Sequence, residues 1–303
     1  MAAEERIMAK PSILVIGRTG QLATSLQKLG GECVVAVGRP EADLQQPESL
    51  AQVIDAHKPA FIVNAAAWTA VDLAESEQEA AKQGNHTGPA RLAEEAAKRG
   101  IPLIHVSTDY VFDGTKGAPY KESDPIHPVT AYGRTKAEGE AAVLQAQPRS
   151  IILRTAWVYS DHGKNFVKTM LNAGAKAPHL RVVGDQRGNP TSSDDLAAVI
   201  LEILRKIEET GWQDAYAGIF HASGAGEATW YELAHYALEQ AVQYGQPMPG
   251  MEAITTADWP TPAARPADSR LDNSKLQRVF GVRLPHWQES VARVVKALLY
   301  KPA

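Results

Sequence analysis

Ser12-Ile-Leu-Val-Ile16 runs directly into Gly17-Arg-Thr-Gly20, after which Gln21-Leu22-Ala23 opens a helical pattern that stops at Gly30-Gly31. A nearly continuous apolar run bounded by glycine reads as a strand covered on both faces. The residues after the turn recur at helical spacing, and the paired glycines end them. Strand, glycine turn and helix in that order open a βαβ unit, and such units build a parallel sheet.

Further short runs repeat the theme at Cys33–Val37, Ala60–Val63, Leu103–Val106 and Ile151–Leu153, with a long helix expected over Ala80–Arg99. This predicts an α/β doubly wound parallel sheet across residues 11–158. Beyond about Thr155 the alternation becomes irregular. Helical patterns at Asn165–Ala173, Asp194–Thr210, Thr229–Val242 and His286–Tyr300 are separated by Pro- and Gly-rich loops such as Gly184–Pro190 and Trp259–Pro266. Residues 159–303 are therefore expected to form mainly a smaller, discontinuous substrate lobe, with segments near 178–222 returning to the first domain.

The 303 residues are 44% hydrophobic and 22% charged, the composition of an ordinary globular chain. A net charge of -4 gives no reason to expect nucleic acid as a partner. The single cysteine, Cys33, can close no intramolecular disulfide, which suits a reducing compartment and leads to an expected cytoplasmic location. Met1-Ala-Ala-Glu-Glu-Arg6 does not read as a secretory signal. No apolar run reaches the roughly 18 residues that a membrane span requires.

The turn Gly17-Arg18-Thr19-Gly20-Gln21-Leu22 sits where a dinucleotide pyrophosphate would meet a helix N-terminus. Ala23 replaces the third glycine, one methyl more than the usual pattern. After the second strand, Gly38-Arg39 brings a guanidinium and no carboxylate, so Arg39 is either a solvated loop arginine or a fork for a 2′-phosphate. NADPH is accordingly expected to serve at least as well as NADH. Asp43 and Leu44 lie within reach of an adenine. Asn64 ends its strand with Ala65-Ala66-Ala67, small side chains that leave room for a ligand or for tight helix packing. Asn85, at the break or start of the next helix, is expected to order a water or a lysine.

Ser107-Thr108-Asp109, Tyr132 and Lys136 carry the reactive chemistry. A carbonyl that receives hydride gains charge on oxygen, so it needs a proton donor and a hydrogen bond in one place. Tyr132 is the donor, Lys136 one helical turn away stabilises the phenolate, and Thr108 supplies a hydroxyl.

These motifs, with Ser107–Gly114 (Ser-Thr-Asp-Tyr-Val-Phe-Asp-Gly) and Tyr132-Gly-Arg-Thr-Lys136, resemble the extended short-chain dehydrogenase/reductases, a Rossmann-like family. More narrowly, Ala65–Glu77, Arg154–Tyr159, Asn165–Met170, Asp185–Thr191 and Thr261–Pro266 are similar to the dTDP-4-dehydrorhamnose reductase family. The resemblance implies reduction of a 4-keto group on a dTDP-sugar by NADPH or NADH, with Thr108, Tyr132 and Lys136 catalytic and Lys136 also holding the nicotinamide ribose. It implies that Thr69, Val71, Asp109, Tyr110 and Trp157 line the sugar and cofactor crevice, and that Arg265 and Arg270 are candidates for nucleotide phosphates. Some relatives dimerise around a magnesium ion held by glutamates. The matching positions here are Ser25, Asp194 and Gln288, a set with one carboxylate, so no metal is expected and a homodimer would lack a metal bridge. A dehydratase of the same family would carry Asp-Glu after the threonine, whereas here Tyr110 follows Asp109. A non-catalytic regulatory subunit is the rival of another class.

Overall fold

The computed structural model describes residues 12–300, and the amino-terminal stretch read above for a signal lies outside them. The chain begins β1 (Ile13–Ile16), α1 (Gln21–Gly30), β2 (Val34–Val37), α2 (Glu48–His57) and β3 (Phe61–Asn64). It continues through α3 (Gln78–Lys82), α4 (Gly88–Lys98), β4 (Leu103–Thr108), α5 (Ala131–Ala146) and β5 (Ser150–Thr155). The five strands lie in the order β2-β1-β3-β4-β5, every neighbouring pair parallel, which gives the doubly wound sheet expected from the opening residues.

The chain then leaves the sheet through β6 (Val158–Tyr159), α6 (Phe166–Gly174), β7 (His179–Val183), β8 (Arg187–Gly188) and β9 (Thr191–Ser192). It returns with α7 (Ser193–Thr210) and β10 (Gly218–His221), which adds a sixth strand parallel to β5. The remainder is β11 (Ala228–Thr229), α8 (Trp230–Val242), β12 (Gly250–Ile254), α9 (Ser274–Phe280) and α10 (Trp287–Leu299). Of the stretch near 178–222, β7 pairs instead with β12 in an outlying two-stranded sheet, and 193–221 is the part that rejoins the main layer.

Period-two alternation divides the core. Ile13 and Val15 of β1 pack into one cluster with Leu22 and Leu26 of α1 and Leu196, Ile200 and Ile203 of α7. Leu14 and Ile16 point the other way, onto Leu50 and Ile54 of α2 and Leu92 and Ala96 of α4. The strands therefore read as continuous apolar runs because both faces are covered. A third cluster joins α6, α8 and α10 through Val167, Leu233, Leu238, Trp287 and Val291.

The helix expected over Ala80–Arg99 is broken. Between α3 and α4, Gln83–Thr87 forms a π-turn, and Pro89 in the first turn of α4 has no N–H to continue the ladder. The bulge turns Asn85 inward, where its Oδ1 accepts from the Trp68 N–H (2.9 Å) and its Nδ2 donates to the Trp68 carbonyl (3.1 Å) and Thr135 Oγ1 (3.1 Å). Asn85 thus anchors the Trp68 backbone to α5 and does not order a lysine.

Candidate active site

Gly17 ends β1 with φ +120°, a backbone that suits glycine, and a Cβ there would stand 3.1 Å from the Ala66 nitrogen. That close approach brings the first turn against the end of β3. Gly20 caps α1 without any side-chain acceptor, and the space a Cβ would occupy is open. The first amides of α1 consequently face a cavity of about 510 Å³, with Thr19, Gly20, Gln21 and Leu22 on one wall and Ala65, Ala66, Ala67, Thr69 and Val71 beside them. Free helix N–H groups, a positive dipole end and small facing side chains fit a dinucleotide pyrophosphate.

The opposite wall carries Thr108, Asp109 and Tyr110 from the end of β4, with Tyr132 and Lys136 from the first turns of α5. Thr130 caps α5, its hydroxyl accepting from the Gly133 N–H (2.9 Å). Gly133 lets α5 lie directly on the turn after β4, since a Cβ would sit 2.2 Å from the Tyr110 carbonyl oxygen. The close contact fixes Tyr132 against the strand end that bears Thr108.

Burial pushes the Tyr132 phenol up to about 12, with the Thr108 hydrogen bond offsetting part of the rise and the Asp109 charge adding to it. Lys136 is buried, and that burial lowers it to about 8 against the opposing pull of Glu140. Its Nζ donates to the Val106 carbonyl (2.7 Å). Asp109 is raised to about 6 by burial, although Ser269 Oγ donates to its Oδ2 (2.5 Å) and Thr108 Oγ1 to its Oδ1 (3.1 Å). Behind the site, Glu140 accepts from the Arg154 Nε (2.9 Å) and Nη2 (2.6 Å) and from the Ser107 hydroxyl.

Trp157 forms the third side. Its φ of +47° is strained for a bulky residue, and its ring is stacked on Trp230 with centroids 3.6 Å apart and planes 9° from parallel. Trp230 is tied in turn by its Nε1, which donates to Gln186 Oε1 (3.1 Å). Gly188 allows this packing, for a Cβ there would lie 2.5 Å from Trp157 Cε2.

Several expected residues stand elsewhere. Gly17 shapes the cavity without lining it. Arg39 is exposed at the end of β2 and forms no ion pair among the described residues, while its neighbour Arg18 pairs with Glu41. Asp43 closes a local turn by accepting from the Gln45 N–H (3.0 Å), and Leu44 is buried among the α2 and α4 side chains. Arg265 donates to Asp72 Oδ2 (2.9 Å) and to the Ala263 carbonyl (2.8 Å), a clasp beside Val71 that lies outside the cavity lining. Arg270 is engaged by Asp268 and Glu227. Ser25 and Asp194 do meet (2.6 Å), but Lys28 Nζ also holds Asp194 (2.8 Å), and Gln288 lines a separate surface pocket with Glu227 and His286.

The sequence reading did not single out Trp230, Lys164 or Leu196, all of which line the cavity. Nothing local marks Trp230, which lies 73 positions after Trp157 and meets it only through the fold. His105 did carry a signal, a polar residue inside an apolar strand two positions before Ser107.

A family model described as the RmlD substrate binding domain matches residues 11–300. The dTDP-4-dehydrorhamnose reductase of Sinorhizobium fredii is 46% identical over 289 residues, covering 95% of this chain and 97% of that relative. The crystal structure of a dTDP-4-dehydrorhamnose reductase from Clostridium acetobutylicum has a TM-score of 0.87 at 36% identity, covering 95% of this chain and 99% of that one. A dTDP-4-dehydrorhamnose reductase from Bacillus anthracis in complex with NADP has a TM-score of 0.84 at 30% identity, covering 94% and 98%. This chain belongs to the dTDP-4-dehydrorhamnose reductase family.

Proposed function

We propose that this chain reduces the 4-keto group of dTDP-4-dehydro-L-rhamnose to give dTDP-L-rhamnose, using NADPH or NADH. The observation that carries the reading is the convergence of Thr108, Tyr132 and Lys136 on one wall of a cavity whose other wall is the uncapped N-terminus of α1. Family membership makes the chain an oxidoreductase, and that convergence gives it the groups the reaction needs.

A bound reduced nicotinamide supplies the hydride; the chain does the rest. Tyr132 stays protonated at neutral pH because burial holds its phenol near 12, so the proton is kept until the carbonyl oxygen gains charge. Thr108 is the second donor to that oxygen, which requires its hydroxyl to turn from Asp109 toward the substrate. Lys136 stabilises the phenolate and holds the nicotinamide ribose. Trp157 offers an apolar ring face to the deoxy sugar, and Thr69, Val71, Asp109 and Tyr110 complete its surroundings. The α1 turn and Ala65–Ala67 seat the cofactor, with Arg39 as partner for a 2′-phosphate.

We place the reaction in the cytoplasm and the substrate among dTDP-sugars, with neither nucleic acid nor membrane as a partner. A homodimer of this chain would need no metal bridge, because Lys28 already neutralises Asp194. Among the described residues no helix is long and apolar enough to cross a membrane. The decisive experiment follows loss of reduced-nicotinamide absorbance with dTDP-4-dehydro-L-rhamnose, NADPH and NADH being tried separately. Turnover supports the reading; a folded protein that binds the cofactor and does not turn over refutes it. Light scattering with and without chelator tests the metal-free assembly.

A further inference from the structure

We propose that His105 is a positioning residue that presents its Nε2–H to Lys136 and thereby sets the pH at which that lysine gives up its charge. The inference deepens the reading of Lys136 as part of the reducing site, and it begins on the neighbouring strand. Asn64 of β3 stands in register with His105 of β4, and both side chains are fully buried. The Asn64 Oδ1 accepts from the Ala66 N–H (3.2 Å), so its amide nitrogen must face His105 Nδ1, 3.0 Å away. Reversing the amide would oppose two donors at Ala66.

Nδ1 is therefore an acceptor. Burial, reinforced by the Lys136 charge, holds the imidazole well below its ordinary range, so the ring is neutral and carries one N–H. That hydrogen is on Nε2, and Nε2 lies 3.4 Å from Lys136 Nζ. An ammonium there meets donor with donor, whereas an amine offers its lone pair to the imidazole and still donates to the Val106 carbonyl. Other charges around Lys136 do not reverse this bias. Glu140, one turn on along α5, favours the ammonium, yet both its oxygens are engaged by Arg154 of β5. Asp109 follows β4 and is bonded by Ser269 and Thr108, and Tyr132 on α5 is a neutral phenol. The Asn64–His105 pair thus acts on Lys136 from behind, away from substrate.

The tautomer can be read directly. In the protein labelled with 15N-histidine, long-range 1H–15N correlation spectra distinguish Nε2–H from Nδ1–H, and loss of one signal in His105→Phe assigns it. The expected result is a neutral Nε2–H imidazole throughout pH 6 to 9; an Nδ1–H or protonated ring in that range overturns the proposal. In the pH profile of kcat/KM, His105→Phe should move the alkaline limb upward by about one unit, because a donor opposing the ammonium has gone. A uniform loss of rate with the limb unmoved would assign His105 a packing role only. Where His105→Phe fails to fold, Asn64→Asp puts an acceptor opposite Nδ1, imposes the other tautomer and should shift the limb the same way. Titration of Lys136 followed through 13Cε-labelled lysine gives the same comparison without turnover. It separates failure of this proposal from failure of the substrate assignment.

Discussion

Asp109→Asn is the substitution whose effect can be worked most fully. The carboxyl is buried at the end of β4, and its pKa is raised from the ordinary 3.8 to about 6. A folded-state value above the unfolded one means that folding favours the protonated form. The resulting stability is fully present below about pH 3.8 and is lost as pH rises through about 6. The displacement of about two pH units corresponds to about 3 kcal/mol once the group is fully ionised. Between pH 5 and pH 8 the part still to be lost is about 1.4 kcal/mol. Asparagine keeps one acceptor oxygen and adds an amide to which the Ser269 or Thr108 hydroxyl can accept by rotating, and it carries no charge to bury. Thermal unfolding of both proteins at the two pH values isolates the effect, since every other titrating group cancels in the comparison. The wild type should lose ground to Asp109→Asn by about 2 to 3 °C in Tm on going from pH 5 to pH 8. An unchanged gap, or one that moves in favour of the wild type, would refute the claim that this carboxyl is raised by burial.

Tyr132→Phe should lower kcat by about 10² to 10⁴ while fluorescence titration shows unchanged binding of the reduced nicotinamide. Glu140→Gln leaves Arg154 uncompensated in a buried site and should cost about 3 to 5 kcal/mol, read as a lower urea midpoint. Arg39→Ala should shift the ratio of kcat/KM for NADPH over NADH about tenfold toward NADH, with little change in the NADH value alone. Gly188→Ala places a methyl 2.5 Å from the Trp157 ring; it should destabilise by about 1 to 3 kcal/mol and raise KM for the sugar nucleotide more than it lowers kcat.

Legibility followed the range of the forces involved. Strands β1 to β5 were readable because each is buried on both faces, so burial alone writes an apolar run into the chain. The first turn was readable because a positive φ and a close approach to the end of β3 demand glycine at Gly17. The Tyr132-to-Lys136 spacing is likewise one helical turn. By contrast, α2 buries only Leu50 and Ile54 and offers too thin a stripe to stand out. The single long helix expected over Ala80–Arg99 missed the π-turn, since the bonds that stabilise it run from Asn85 to Trp68 and Thr135, residues distant in sequence.

The same division separates the two halves of the site. The wall at the α1 turn is built within β1–α1 and the end of β3, and the glycine at position 17 follows from local backbone geometry. The wall that bears Trp157 and Asp109 is assembled by tertiary contact: Trp157 is held in a strained conformation by Trp230 from α8 and by the bare backbone of Gly188, and Asp109 is bonded by Ser269 across 160 positions. Strain at Trp157 persists only because those partners over-determine it. A residue so held keeps its ring in place before a ligand arrives. A change at Gly188, which touches the Trp157 ring without lining the cavity, should therefore alter sugar recognition while leaving cofactor binding at the α1 turn intact.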